Sequence, residues 1–247
     1  MEFENKRIIP SGRAVKSALR VYKETFSIVR KYNRIKREQG IDRETLNGLM
    51  TEWYKTLLNK FHIDMNVIGA PVSDERIIFV GNHVSYVDIP VFLANQPAYF
   101  VAKKEIAKWP VLGSAFKKAE IIFVKRESKS SRKNTVNAIN KAIREQNKSI
   151  CIFPSGTTDI AEKKPWRRGA FSIAKACDVK IQPFRLSYSP LRDVAYIDDD
   201  FLLTHMFRLA GVEKVKCTIE FGEPFKVENP EEDCKRIWEW TKQAIKH

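Results

Sequence analysis

Arg76-Ile77-Ile78-Phe79-Val80-Gly81-Asn82-His83-Val84-Ser85-Tyr86-Val87-Asp88 decides how this chain is read. The run 76–80 predicts a buried strand, and Gly81-Asn82 ends it. His83, one of four histidines, therefore comes directly after a strand, and Asp88 comes five residues later. An imidazole takes a proton near neutral pH, and a neighbouring carboxylate fixes its tautomer and stabilises the imidazolium. Two helical residues five apart point about 140° away from each other. His83 and Asp88 can therefore meet only if a turn precedes the helix, and the small polar Asn82 and Ser85 suit such a turn or cap. The bland alternative is a strand-to-helix loop whose polar residues only cap.

Outward from this stretch the pattern alternates between strand and helix. Strands are expected near 76–81, 121–125, 149–153, 179–187 and 215–221, and helices near 86–95, 130–146, 168–177 and 231–246. That alternation predicts an α/β fold with a largely parallel or mixed central sheet covered by helices. Loops that do chemistry gather at the carboxyl ends of such strands. His83, Lys125-Arg126 and Pro154-Ser155-Gly156-Thr157-Thr158 each come just after a strand, so one sheet edge can collect them.

Before the sheet lie two helical patterns. Val15, Ala18, Leu19, Tyr22, Phe26 and Val29 recur at helical spacing, with Lys16, Arg20, Lys23, Arg30 and Lys31 between them. A second stripe runs through Leu46, Leu49, Met50, Trp53, Leu57 and Phe61. Together they predict an amphipathic helical hairpin, and the expected division is 1–70 for a membrane-association segment and 71–247 for the α/β domain. Such stripes either pack on the main domain or, when basic and rich in aromatics, lie in the headgroup region of an anionic bilayer.

Four blocks share the order of a known family: Asn82-His83-x4-Asp88; the strand 121–124 ending in Lys125-Arg126; Phe153-Pro154-Ser155-Gly156-Thr157-Thr158; and Arg168-Gly169-Ala170, with the Pro183-containing strand after it. Over about residues 76–190 the chain resembles the glycerolipid acyltransferases, specifically 1-acyl-sn-glycerol-3-phosphate acyltransferases of the PlsC type. The resemblance implies transfer of an acyl group from a thioester, acyl-CoA or acyl-carrier protein, to the sn-2 hydroxyl of lysophosphatidic acid. It implies Arg126 as an acceptor contact. The family's third block usually reads Phe-Pro-Glu-Gly-Thr-Arg, so Ser155 stands in place of Glu and Thr158 in place of Arg. The second change removes a cation assigned to the acceptor phosphate. Arg167 or Arg168 could take that role, or the acceptor could be another lysolipid.

Transfer from a thioester to an alcohol needs a base, donors for the developing oxyanion and positioning of both substrates. His83 is the base candidate and Asp88 its orienting partner. The backbone around Ser155, Gly156 and Thr157 is the oxyanion candidate, because glycine permits close approach. Ser155 reads as a turn residue rather than a nucleophile, and no Gly-x-Ser-x-Gly elbow occurs. Lys104, Arg126, Thr158, Arg167 and Arg168 complete the candidate substrate contacts. No cofactor or metal is expected, since Cys151, Cys177, Cys217 and Cys234 form no CxxC pair, and this usage favours a reducing compartment.

The 247 residues carry a formal charge of +14, which calls for an anionic partner: an anionic membrane surface, a phosphorylated substrate or nucleic acid. Nucleic acid is disfavoured because the aromatics sit in apolar stripes rather than among Lys and Arg as a stacking surface. A non-catalytic membrane scaffold would not need His83 and Asp88. A thioesterase would not need acceptor cations. With no signal peptide and no run of about 18 apolar residues, the expected location is the cytoplasmic face of the cell membrane, peripheral or monotopic.

Overall fold

A computed structural model describes residues 12–73, 76–108, 113–114, 117, 121–124, 129–145, 148–197 and 200–243. The described residues form one seven-stranded sheet. Its strands are β1 (Ile63–Ile68), β2 (Ile77–Gly81), β3 (Tyr99–Lys103), β4 (Ile122–Val124), β5 (Ile150–Ile152), β6 (Lys180–Ser189) and β7 (Val215–Phe221). The order across the sheet is β1-β7-β6-β2-β5-β3-β4. Every neighbouring pair is parallel except β6 and β7, which are antiparallel, so the sheet is mixed.

The helices are α1 (Gly12–Glu38), α2 (Arg43–Lys60), α3 (Asp88–Leu93), α4 (Lys129–Arg144), α5 (Gly169–Cys177), α6 (Leu191–Val194), α7 (Leu202–Gly211) and α8 (Pro230–Lys242). Strand pleat sorts the core into two layers. Ile77 and Phe79 face a cluster built with α1, α2, α3 and α7, while Ile78 and Val80 face one built with α4, α5 and α8. β2 is therefore buried on both faces, which explains its unbroken apolar run.

The expected strands appear within a few residues of their expected bounds, and two more join them. β1 and β3 were not expected, nor were the helices α6 and α7. The sheet begins at Ile63, ahead of the division drawn at residue 70, because β1 pairs with β7 along its whole length.

The hairpin is present, and its two helices differ. α2, capped by the Asp42 carboxylate accepting from the Thr45 amide, buries Leu46, Leu49, Met50, Trp53, Tyr54, Leu57 and Leu58. Its stripe is core. α1 also buries one stripe, with Trp53 Nε1 donating to Thr25 Oγ1 at 3.1 Å inside the seam. A second row on α1 stays outside: Leu19 is 64% exposed and Phe26 54%, with Val15 beside them.

Gly81 ends β2 because nothing larger fits. A Cβ there would lie 2.5 Å from the ring of Phe184 on β6. Gly81→Ala is expected to destabilise the fold by about 1–3 kcal/mol, as overpacking of a filled core does. Urea unfolding measures this, and an unchanged midpoint would mean that Phe184 yields freely.

Candidate active site

β2 delivers the chain to its carboxyl edge, and Asn82 anchors the loop 82–87 there. The fully buried Asn82 side chain donates to the Leu186 carbonyl at 2.8 Å and accepts from the Leu186 amide at 2.7 Å. This imitates a strand partner on β6 and holds the start of the loop in place. α3 starts only at Asp88, so a turn separates His83 from Asp88 and the two side chains meet.

Asp88 is wholly buried. Its Oδ2 accepts from His83 Nδ1 at 2.8 Å, from the Val84 amide at 2.6 Å and from the Ser85 amide at 2.9 Å. Its Oδ1 accepts from the Tyr188 hydroxyl at 2.7 Å. An acceptor-only carboxylate requires the proton of His83 on Nδ1, which leaves Nε2 as the basic nitrogen. The imidazole also lies flat on Phe153, with ring centroids 4.0 Å apart and planes 3° from parallel.

His83 lines a cavity of about 370 Å³. Val21 of α1, Tyr54, Leu57 and Phe61 at α2, Ile89 of α3 and Phe100 of β3 give it an apolar wall. Gly156, Thr157 and Thr158 lie on the same wall as His83. Among the described residues that line it, His83 is the only His, Lys, Arg, Asp or Glu. Such a cavity suits a hydrocarbon chain presented to one polar group.

The turn 153–158 is tightly bonded within itself. Gly156 has φ +72°, the left-handed region that glycine enters without strain, and its amide donates to the Phe153 carbonyl at 3.1 Å. Ser155 Oγ donates to the Thr157 carbonyl at 2.8 Å, a turn bond. Thr158 Oγ1 donates to the Tyr196 carbonyl.

The structure brings His83, Asp88, Gly156, Thr157 and Thr158 to one place. The cations are distributed differently. Lys104 is exposed at the start of a 3-10 turn after β3. Arg168 is at the surface, paired with Glu231 of α8 at 2.8 Å, and Arg167 is exposed. None of the three lines the cavity. Arg126 lies outside the described residues.

Three partners of the site had no clear signal in the sequence. Tyr188 is one tyrosine in a ten-residue strand. Phe153 was visible only as part of its block. Glu162 sits seven residues beyond Ser155 in a polar loop, is 1% exposed, and accepts from the His83 amide at 3.2 Å and Trp166 Nε1 at 2.6 Å. Burial raises its carboxyl from the ordinary 4.5 to about 7, against the opposing pull of these two donors.

Comparison with known proteins places these observations in a family. The acyltransferase family model matches residues 61–187. The chain is 32% identical to a lyso-ornithine lipid O-acyltransferase of Pseudomonas aeruginosa, over 75% of this chain and 73% of that protein. It is 27% identical to a 1-acyl-sn-glycerol-3-phosphate acyltransferase of Neisseria meningitidis serogroup B, over 74% and 75%. The crystal structure of the 1-acyl-sn-glycerophosphate acyltransferase PlsC from Thermotoga maritima superimposes with a TM-score of 0.67 at 18% identity, covering 95% of this chain and 96% of that one. That last likeness is one of fold.

Proposed function

The chain belongs to the acyltransferase family, and from that premise we propose that it moves an acyl group from a thioester to the free hydroxyl of a lysolipid at a membrane surface. The observation that carries the reading is a His83 whose Nδ1 is held by Asp88, leaving Nε2 free to take a proton, at the wall of an apolar cavity whose described lining holds no other charged side chain. His83 takes the acceptor hydroxyl proton as that oxygen attacks the thioester carbonyl. The carbonyl oxygen becomes an oxyanion, and we assign its donors to the turn shaped by Gly156, the Thr157 amide first. The carbon–sulfur bond then breaks, and the leaving thiolate takes the proton back from the imidazolium. No protein nucleophile enters, in keeping with a Ser155 hydroxyl turned onto its own loop.

The sequence points to 1-acyl-sn-glycerol-3-phosphate as the acceptor, with Arg126 on its phosphate. Thr158 favours a second reading. It stands where the family carries Arg, and its hydroxyl is committed to Tyr196. The cavity wall supplies no other cation among the described residues. An acceptor without a phosphate monoester, such as the lysolipid named for the Pseudomonas relative, fits that wall better. A panel of lysophosphatidic acid, lyso-ornithine lipid and lysophosphatidylcholine, each with acyl-CoA and acyl-carrier protein, separates the readings. If lysophosphatidic acid is the acceptor, Arg126→Ala is expected to raise its KM by roughly 10–100-fold, the worth of one charged hydrogen bond, and to spare the donor. Acylation of none of the three acceptors would overturn the reading.

His83→Ala is expected to cut turnover by roughly 10²–10⁴ with the fold intact. Asp88→Asn is expected to be severe as well, since an amide cannot accept all four donors or stabilise the imidazolium. Near-native turnover of His83→Ala would remove the proposed base.

The membrane reading rests on α1. No described helix is long and apolar enough to cross a bilayer. The exposed row on α1 is Val15, Leu19 and Phe26; α7, which packs on α1, carries the exposed Leu203, and Phe201, 67% exposed, precedes it. Lys16, Lys23, Arg30 and Arg34 flank the row on α1. Apolar rows bordered by cations insert at anionic interfaces. Removing the first 64 residues would not test this cleanly, because it strips Trp53, Tyr54, Leu57 and Leu58 from the core. Leu19→Glu with Phe26→Glu is expected to release the protein from anionic vesicles with little change in stability. Sedimentation with vesicles measures it, and undiminished binding would move the membrane surface elsewhere.

A further inference from the structure

We propose that Glu162 is a positioning residue for His83: with the Asp159 amide it holds the His83 backbone at both its amide and its carbonyl and sets where the imidazole stands. This rests on the proposed role of His83 as base. The Asp159 amide donates to the His83 carbonyl at 2.8 Å, and Glu162 Oε1 accepts from the His83 amide at 3.2 Å. The two contacts come from one loop, three residues apart, and close on a single residue's backbone.

The loop is itself held. Asp159 accepts from the Ala161 amide at 2.9 Å and from the Lys163 amide at 2.9 Å. Glu162 Oε2 accepts from Trp166 Nε1 at 2.6 Å, and the Glu162 carbonyl accepts from Trp238 Nε1 of α8 at 3.2 Å. Glu162 has φ +46°, a left-handed conformation costly for any residue but glycine. Such strain persists where the surroundings over-determine it, and here these contacts do. Nothing in the stability of the loop calls for a buried carboxylate, since a neutral residue would escape the desolvation cost. Its use is the charge it presents to the His83 amide.

The ionised carboxylate accepts from both donors, and a proton on either oxygen repels one of them. Burial favours the protonated form, and Asp159 and Asp88, the charged groups that face Glu162, favour it further. The donors opposing them are the His83 amide on the β2–α3 loop and the Trp166 ring. α8 contributes the neutral Trp238, over whose ring Lys242 Nζ sits 3.9 Å from the centroid. The grip therefore weakens as pH falls through about 7.

Two substitutions act on the effect in different ways. Glu162→Gln cannot titrate, and its amide nitrogen faces one of the two donors as a protonated carboxyl would. The loss of kcat that Glu162 causes below about pH 7 should therefore already be present above pH 8, at roughly tenfold below wild type, and the acid limb should lose that component. Trp166→Phe removes a donor to the ionised form, so the limb should move to higher pH. Glu162→Ala should lower kcat by roughly 10–100-fold, as small misplacements of a catalytic group do, with KM nearly unchanged. The assay uses palmitoyl-CoA with each acceptor of the panel on the full chain. The same question is put without turnover by ¹⁵N-histidine labelling, with the His83 amide assigned through its loss in His83→Ala. Beside any step that the His83 ring nitrogens share, that amide should shift through about pH 7 in wild type and at higher pH in Trp166→Phe, and Glu162→Gln should leave only the shared step. A raised limb in Trp166→Phe and a lowered kcat without the Glu162 component in Glu162→Gln, with matching amide shifts, establish the role. Limbs that do not move, or an amide step without a ring counterpart that persists in Glu162→Gln, overturn it. Amide shifts as expected with no transfer to any acceptor would overturn the acyltransfer reading alone.

Discussion

A carboxylate with no exposure to water organises this molecule. Burying a charge costs several kcal/mol unless hydrogen bonds replace its hydration. Asp88 meets that cost with donors from a ring, two backbone amides and a tyrosine hydroxyl. Three of the four come from the turn before α3, and the fourth comes from the far end of β6. The turn cannot straighten, nor can β6 shorten, without leaving the charge unsatisfied. The requirement that neutralises Asp88 thus also sets the His83 tautomer, because the carboxylate cannot donate.

Beneath that polar knot lies a raft of phenylalanines. Phe153 carries the His83 ring and approaches Phe100 and Phe184, with centroids 5.6 Å and 6.1 Å away. Phe184 contacts Phe92 of α3 at 4.8 Å, and Phe92 contacts Phe79 of β2 at 5.0 Å in an edge arrangement. Edge and tilted aromatic pairs fix ring positions beyond what area burial alone does. The His83 imidazole therefore rests on the sheet core. This also explains why β2 must end in glycine, where Phe184 crosses it.

Much of this was legible in the sequence because it is local. An apolar run leading into Gly-Asn-His marks a buried strand and its functional end within a few residues. The turn between His83 and Asp88 is dictated by helical geometry alone. The hidden part is non-local or weakly patterned. β1 alternates Ile63-Asp64-Met65-Asn66-Val67-Ile68, but it lay inside a segment assigned to the hairpin, and only its pairing with β7 shows where it belongs. β3 is a short run after Gln96-Pro97, and β4 beside it has three residues. Tyr188 and Glu162 reach the site from 100 and 79 residues beyond their partners, a distance that no spacing rule encodes.

The hairpin joins the cavity wall to an exposed apolar row. α2 turns its apolar stripe wholly inward and supplies Tyr54 and Leu57 to the cavity wall. α1 does two things at once: Val21 faces the cavity, while Leu19 and Phe26 face solvent on the opposite side of the same helix. Successive helical residues differ by roughly 100°, so Val21 and Leu19, two apart, point about 160° away from each other. A large exposed apolar row is costly for a protein that works only in water, and basic neighbours do not relieve that cost. It is relieved if the row meets lipid. The distance from the lipid surface to His83 is then fixed by one rigid helix rather than by a linker, so the depth at which an acceptor hydroxyl can be met is set by the packing of α1 on α2 and α7.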